Sequence, residues 1–293
     1  MKKLNLVNKE ASDIEYVISK YPDGQQNIEI QGWYPNTEIV ILSRLNDWLD
    51  LELIVCSVKS LKSVDVKQIH LFVPYFLGSR SDRQFVIGGN NYLKEVICPI
   101  INGLKFETVM TLDPHSDVLE ACLNNFKKQT NHELVKWALK DINNKPDAQE
   151  NTVFISPDQG AAKKIYKVLE HVNYKEDPII CSKQRDEKGN LSKFHLELGN
   201  YHDKIHDGKE LNFIIIDDIC DGGATFINVA RELKSYFNES HKSKIYLIVT
   251  HSIQALGLLK AFEYFDCIYS TNSYADHEFH ERYKTKFKQL NVF

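Results

Sequence analysis

The segment Phe213–Phe226, FIIIDDICDGGATF, holds the residues of this 293-residue chain whose types and spacing most directly imply chemistry. An apolar, β-branched run meets two adjacent acids, Asp217 and Asp218, and then a third, Asp221. A glycine pair follows, Gly222 and Gly223, and then Ala224 and Thr225 at the start of a helical pattern. Paired carboxylates accept hydrogen bonds from vicinal hydroxyls such as those of a ribose ring. Glycines let backbone amides close on an anion, and a helix N-terminus behind them favours negative charge. The plain alternative is an acidic turn at the end of a strand. Acids at strand ends are common, but the full order strand, DDxxD, GGxT, helix is a far narrower pattern.

Other reactive residues sit where apolar runs stop: Asp113-Pro114-His115, Ser156-Pro157-Asp158 and Thr250-His251. In open α/β sheets ligands bind outside the carboxyl ends of the strands, so these ends define one rim or two neighbouring rims. Arg80, Asp82 and Arg83 lie together in SRSDRQ. Arginine presents planar, paired donors to phosphate oxygens, although the same stretch also reads as a solvated charged turn. Lys183 and Arg185 stand at the head of the polar stretch Gln184–Ser192, QRDEKGNLS, which reads as a mobile loop. Such a loop can bring two cations onto a bound anion only when closed, and so keep water out.

The elements that must position these groups alternate between strand and helix. Gln68–Val73, Thr108–Leu112, Thr152–Ile155, Asn212–Ile216 and Lys244–Val249 are short apolar runs bounded by polar or turn residues, the mark of strands buried on both faces. Between them Asp47–Leu61, Ala161–Leu169 and Ala224–Tyr236 carry apolar residues at helical spacing. This order predicts an α/β fold of mostly parallel sheets flanked by helices. The polar, proline-bearing stretch Asn143–Asn151 is the best linker, which divides the chain into domains 1–147 and 148–293.

Composition narrows the class. A net charge of −4 gives no general reason to expect nucleic-acid binding. No apolar run reaches the roughly 18 residues of a membrane span, and MKKLNLVNKEASD has no apolar core after its lysines. The six cysteines are scattered without a CxxC pair, as reduced thiols would be. The expectation is a cytoplasmic protein with no nucleic-acid or membrane partner.

FIIIDDICDGGATF resembles the pyrophosphorylated-ribose motif shared by type I phosphoribosyltransferases and ribose-phosphate pyrophosphokinases, the PRPP synthetases. The second family fits along nearly the whole chain. Tyr21–Gln25, YPDGQ, is similar to its F-S-D-G-E element, and Asn46–Leu53, NDWLDLEL, to the helix after its second strand. Pro74–Gln84, PYFLGSRSDRQ, is similar to P-Y-x-x-Y-A-R-Q-D-R-K. Leu112–His115 resembles D-L-H, and Ser156–Gly160 resembles S-P-D-x-G. Lys183-Gln184-Arg185 resembles K-R-R, and Val249-Thr250-His251 the late T-H. The matches fall in one order from Tyr21 to His251.

The resemblance implies two tandem phosphoribosyltransferase-like domains, with the ribose loop in the second. It implies an enzyme that moves the β,γ-pyrophosphate of ATP, with Mg2+, to the 1-hydroxyl of ribose 5-phosphate, giving phosphoribosyl pyrophosphate and AMP. In that scheme Lys183 and Arg185 are catalytic, and Tyr21, Asp23, Gln25, Arg80, Asp82, Arg83 and His115 bind ATP. His115 and Asp158 attend the metal. Asp217, Asp218, Asp221, Gly222, Gly223, Ala224 and Thr225 hold the ribose and its phosphate. Tyr21, Asp23 and Gln25 would reach the ATP of a neighbouring copy, so a homo-oligomer is implied, dimer-based and up to a hexamer.

The departures bear on the acceptor. The family's phosphate loop reads D-T-x-G-T, whereas Asp221-Gly222-Gly223-Ala224-Thr225 has glycine where the first threonine stands. A lost hydroxyl removes a hydrogen bond to charge, worth about 1.5–3 kcal/mol if nothing replaces it. The opened loop equally suits ADP-ribose, whose 5′-phosphate is substituted. Gln25, Ser81 and Gln84 also depart, on the nucleotide side. A phosphoribosyltransferase without ATP chemistry is disfavoured by SRSDRQ and SPDQG, and a non-catalytic relative by the presence of Lys183, Arg185, His115 and Asp158 together. On this reading Lys183→Ala lowers kcat by about 10²-fold or more while the affinity for ATP changes little. Steady-state kinetics check it, and an equal loss in both would contradict a role confined to the closed loop.

Overall fold

The structure, a computed structural model, describes residues 1–143, 151–185, 191–237 and 242–293; at 183–185 and 191–194 only the backbone is described. The chain forms two compact units, one of Met1–Thr130 with Val292–Phe293, the other of Asn131–Asn291.

The first unit runs β1 (Lys2–Asn5), β2 (Tyr16–Lys20), β3 (Gln26–Ile30), β4 (Glu38–Leu42), α1 (Trp48–Ser63), β5 (Gln68–Phe72), α2 (Cys98–Gly103), β6 (Thr108–Leu112), α3 (Val118–Cys122) and β7 (Phe126–Gln129). Its main sheet has the order β1-β4-β5-β6-β7 with every neighbouring pair parallel. Strands β2 and β3 form a separate antiparallel hairpin against α1. Helix α1 begins where the sequence pattern places it, because the Asp47 carboxylate accepts from the amides of Leu49 and Asp50. Leu51, Ile54, Val58 and Leu61 then form its buried stripe.

The second unit runs α4 (His132–Ile142), β8 (Thr152–Ser156), α5 (Gln159–His171), β9 (Ile179–Ile180), β10 (Ser182–Arg185), β11 (Leu191–His195), α6 (Tyr201–His206), β12 (Asn212–Cys220), α7 (Ala224–Ser235), β13 (Lys244–Ser252), α8 (Ala255–Ala261), β14 (Cys267–Thr271) and β15 (Phe287–Leu290). Six strands in the order β15-β14-β13-β12-β8-β9 make an all-parallel sheet. Alternation along β12 splits its apolar residues between two cores: Phe213 and Ile215 face α7 and α8, while Ile214 and Ile216 face α4 and α5. Burial on both faces explains the unbroken apolar run seen in the sequence.

Two differences from expectation have local causes. By packing, the chain changes unit at Thr130–Asn131, ahead of the linker placed at 143–151, of which residues 144–150 lie outside the described residues. Helix α4 belongs to the second unit because it packs on β13 and β14, and Asp141 ties it there. That carboxylate accepts from the Tyr269 hydroxyl at 2.6 Å and the Lys288 ammonium at 2.7 Å. The stretch Gln184–Ser192, expected as loop, is strand at both ends: β10 pairs antiparallel with β11, Lys183 opposite Phe194 and Arg185 opposite Leu191. Residues 186–190 lie outside the described residues.

Candidate active site

The acids of the central motif stay in the sheet. Strand β12 continues beyond Ile216 through Asp217 and Asp218 to Cys220, because β13 continues beside it to Ser252. The pairing of Asp217 with Val249 and of Cys220 with Ser252 fixes the backbone under both carboxylates. They were expected just past the strand, and the longer pairing makes them more rigidly placed.

Asp218 is buried and forms an ion pair with Lys164 of α5 at 2.6 Å. Asp217 keeps some exposure, and its Oδ1 accepts the Asp218 amide at 2.9 Å. Surrounding protein mass first, and then the charges of Asp218 and Asp158, push the Asp217 carboxyl well above the usual carboxylate range, against the pull of Lys164. Asp158 therefore stands close to this pair. It is also the N-cap of α5, its Oδ1 accepting from the Ala161 amide at 3.0 Å. Among the described residues, Asp158, Asp217, Asp218 and Lys164 thus gather at the ends of β8 and β12. Lys164 was missed at the sequence level, where it reads as one of several polar residues on an amphipathic helix. Its signal was a cation on the second turn after SPDQG, facing a strand that ends in acids.

Beyond Cys220 the chain turns through Asp221, Gly222 and Gly223 into α7. Gly223 has φ 75°, a left-handed conformation that glycine adopts without strain, and it is the N-cap of the helix. Having no side chain, it cannot accept from the first amides of α7, which remain available to an anion. Gly222 differs in kind. Its φ is not positive, and a Cβ built there meets no heavy atom within 4 Å. Neither backbone geometry nor packing demands glycine at this position, so its effect is to leave space beside the loop. Residues Asp217, Asp218, Asp221, Gly222, Gly223, Ala224 and Thr225 are thereby gathered at one sheet end, as expected. Buried behind it, His251 Nδ1 lies 2.7 Å from Ser273 Oγ, within a cluster of hydroxyls that includes Thr250, Ser270 and Thr271.

In the first unit a second constellation forms between the loops after β5 and β6. The Asp82 carboxylate is 5% exposed and takes the Arg83 Nε donor at 3.0 Å. Burial alone would raise its pKa, but Arg83, Ser116 and His115 together hold it below the usual carboxylate range. Arg83, anchored in this way, presents the rest of its guanidinium outward with the Phe85 ring centroid 5.8 Å away. Arg80 and His115 are exposed on the same loops. Asp113, just before His115, has φ 43°, an uncommon left-handed conformation for a residue with a side chain. Tyr21, Asp23 and Gln25 lie together at the tip of the β2–β3 hairpin, where the Tyr21 amide donates to the Gln25 carbonyl at 2.9 Å. Tyr21 is 53% exposed there.

His115 and Asp158, the expected metal residues, belong to different units. Among the described residues no group of three or more His, Cys, Asp or Glu is arranged to hold a metal. The side chains of Lys183 and Arg185 lie outside the described residues. No helix among the described residues is long and apolar enough to cross a membrane.

Comparisons with known proteins bear on the family and the fold. Residues 125–278 match the phosphoribosyl transferase domain family. A ribose-phosphate pyrophosphokinase of Haemophilus ducreyi is 24% identical over 240 residues, covering 80% of this chain and 70% of that protein. One from Marinomonas sp. is 24% identical over 243 residues with the same coverage. The crystal structure of phosphoribosylpyrophosphate synthetase from Mycobacterium smegmatis superposes with a TM-score of 0.75 at 14% identity, covering 97% of this chain and 88% of that one. This last likeness is one of fold.

The raised carboxyl of Asp217 makes a signed prediction. The folded protein holds its proton more readily than the unfolded chain, so the group's contribution to stability is present in acid and is lost as pH rises through the folded pKa. Asp217→Asn removes the repulsion, and is expected to raise Tm of the ligand-free protein by about 2–4 °C near neutral pH. The gain shrinks as pH falls toward the unfolded carboxylate range. Thermal unfolding across pH checks this, and a lower Tm for the variant at neutral pH would overturn the charge assignment.

Proposed function

Because this chain belongs to the phosphoribosyltransferase-domain family, we propose that it is an ATP-dependent ribose-phosphate diphosphokinase. It would transfer the β,γ-pyrophosphate of ATP to the 1-hydroxyl of ribose 5-phosphate, giving phosphoribosyl pyrophosphate and AMP. The single observation that carries the reading is the joining of Asp217 and Asp218, held in the sheet, to the Asp221–Gly223 turn and the uncapped start of α7. Carboxylates for vicinal hydroxyls and amides for a phosphate then meet one ribose phosphate at once. The ribose-phosphate pyrophosphokinases similar along 80% of the chain support the same choice over a simple phosphoribosyltransferase.

The reaction forms a bond from the acceptor O1 to the β-phosphorus and breaks the bond from that phosphorus to the α,β-bridging oxygen, releasing AMP and the proton of the 1-hydroxyl. The chain's residues contribute mainly position and charge. Loop amides and Thr225 hold the 5′-phosphate while Asp217 and Asp218 orient the ring. Arg80 and Arg83 take the triphosphate, with Asp82 fixing Arg83 through its Nε. Lys183 and Arg185 bring positive charge to the transferring group when β10–β11 closes over it. Tyr21, Asp23 and Gln25 complete the nucleotide pocket of a second copy in a homo-oligomer.

Carboxylate oxygens are donors that suit Mg2+. This ion takes one or two carboxylates together with waters and substrate phosphates, rather than a cage made by protein alone. Asp158, with Asp217 and Asp218 beside it, offers carboxylate oxygens, and the resemblance adds His115 to the expected metal residues. When bound, the ion neutralises the charge that develops on the phosphoryl oxygens.

A second acceptor, ADP-ribose, is favoured by one observation, the open space at Gly222. A 5′-phosphate carrying a further phosphate needs that room. The test is incubation with ATP, Mg2+ and each acceptor, with AMP as the readout. AMP with ribose 5-phosphate supports the main reading, AMP with ADP-ribose alone shifts the acceptor, and no AMP with either rejects the kinase. Gly222→Thr fits the backbone and the space. It is expected to move preference toward ribose 5-phosphate by about tenfold in kcat/KM, the worth of one hydrogen bond to a charged group. An unchanged ratio would remove Gly222 from acceptor choice.

A further inference from the structure

We propose that Gln254 and Gly257, between β13 and the first turn of α8, are positioning residues that seat the phosphate loop; their role in acceptor binding rests on the function proposed above. The seat is built from four contacts to consecutive residues. The Ile253 amide donates to the Cys220 carbonyl at 2.8 Å, so the chain just past β13 stays tied to the last residue of β12. The Gln254 Nε2 donates to Asp221 Oδ1 at 2.6 Å. Gly257 is buried directly against the loop: a Cβ there would stand 2.2 Å from the Asp221 carbonyl oxygen and 3.0 Å from the Gly222 carbonyl carbon and Cα. From the other side, a Cβ on Gly223 would stand 3.1 Å from the Gly257 carbonyl oxygen.

These obstructing atoms are all backbone, which cannot swing aside as the end of a long side chain can. Glycine at 257 is therefore what allows α8 to lie against the loop, and the loop's position is set by that approach. The three glycines have separate duties. Gly223 supplies the left-handed turn, Gly257 admits the close contact beneath it, and Gly222 faces open space.

Gln254 answers an electrostatic difficulty. Asp221 begins a turn whose amides are to receive an anion, and a carboxylate wandering there would compete for those donors and repel a phosphate. The neutral amide of Gln254 gives that carboxylate a donor and a fixed place without adding charge. Its side chain is exposed, so replacing it leaves the core intact.

The experiment compares wild type, Gly257→Ala, Gln254→Ala and Gln254→Lys as full chains. Hydrogen exchange of the 221–226 amides in ligand-free protein is expected to quicken by about tenfold in the first two variants, through local opening. Gln254→Lys, which keeps a donor to Asp221, is expected to match wild type. Exchange unchanged in both Gly257→Ala and Gln254→Ala overturns the seat, whatever the enzyme's reaction. In the AMP assay the first two variants raise KM for the phosphorylated acceptor by about tenfold, since small misplacements of a binding group are costly, and leave KM for ATP within about twofold. Equal changes in both KM values would overturn the assignment to the acceptor loop. If Gly257→Ala does not fold, Gln254→Ala decides alone. A wild type that forms no AMP rejects the proposed reaction, while the exchange measurement still decides the seat.

Discussion

The parallel pairing of β12 with β13 is the interaction on which the rest of the second unit depends. It runs from Asn212 opposite Lys244 to Cys220 opposite Ser252, longer than either apolar run by itself. Helices cover the two strands on both faces, so the pairing sits in the best-packed part of the unit. Its last residues carry Asp217 and Asp218, and the strands are still tied by Ile253 and Cys220 as the chain turns toward the phosphate loop. Functional groups placed in this way inherit the rigidity of a buried sheet, which a free loop would not give them.

That rigidity concentrates like charge. Asp158, Asp217 and Asp218 lie close together, and among the described residues Lys164 pairs with Asp218. An arrangement of this kind is costly by itself, and hydrogen-bond donors or a cation brought beside it would offset that cost. The cost of assembly falls on folding, and binding relieves it. The phosphate loop next to it has the opposite character, with helix amides and glycines in place of charge. Under the function proposed above, a sugar phosphate would match the pair, its hydroxyls meeting the acids and its phosphate the amides.

The first unit solves a different problem. Its exposed arginines must be kept from collapsing onto nearby acids. Asp82 is buried and holds Arg83 by the Nε alone, which orients the guanidinium while leaving its outer edge exposed. The β2–β3 hairpin carries Tyr21 on an exposed tip, supported at its base by α1 through the bond from Gln26 to the Leu49 carbonyl. Both are exposed groups held by buried or hydrogen-bonded supports.

Much of this was legible in the residues alone. Apolar runs of β-branched residues specify strands buried on both faces, because only such strands can afford them, and the alternation with amphipathic helices specifies parallel sheets. The order DDxxD, GGxT marked the candidate ribose-phosphate site, since its donors and acceptors are local in sequence. What tertiary structure decided was everything brought in from afar. Lys164 joins the acids across the α5–β12 packing, Gln254 and Gly257 reach Asp221 and Gly222 from the next crossover, and Asp141 draws α4 into the second unit through Tyr269 and Lys288. The sequence singled out Gly222 as a departure that opens the loop, but the duties of Gly223 and Gly257 were undecided there. A glycine's role depends on its φ and on what a Cβ would strike, and only the packed chain sets those.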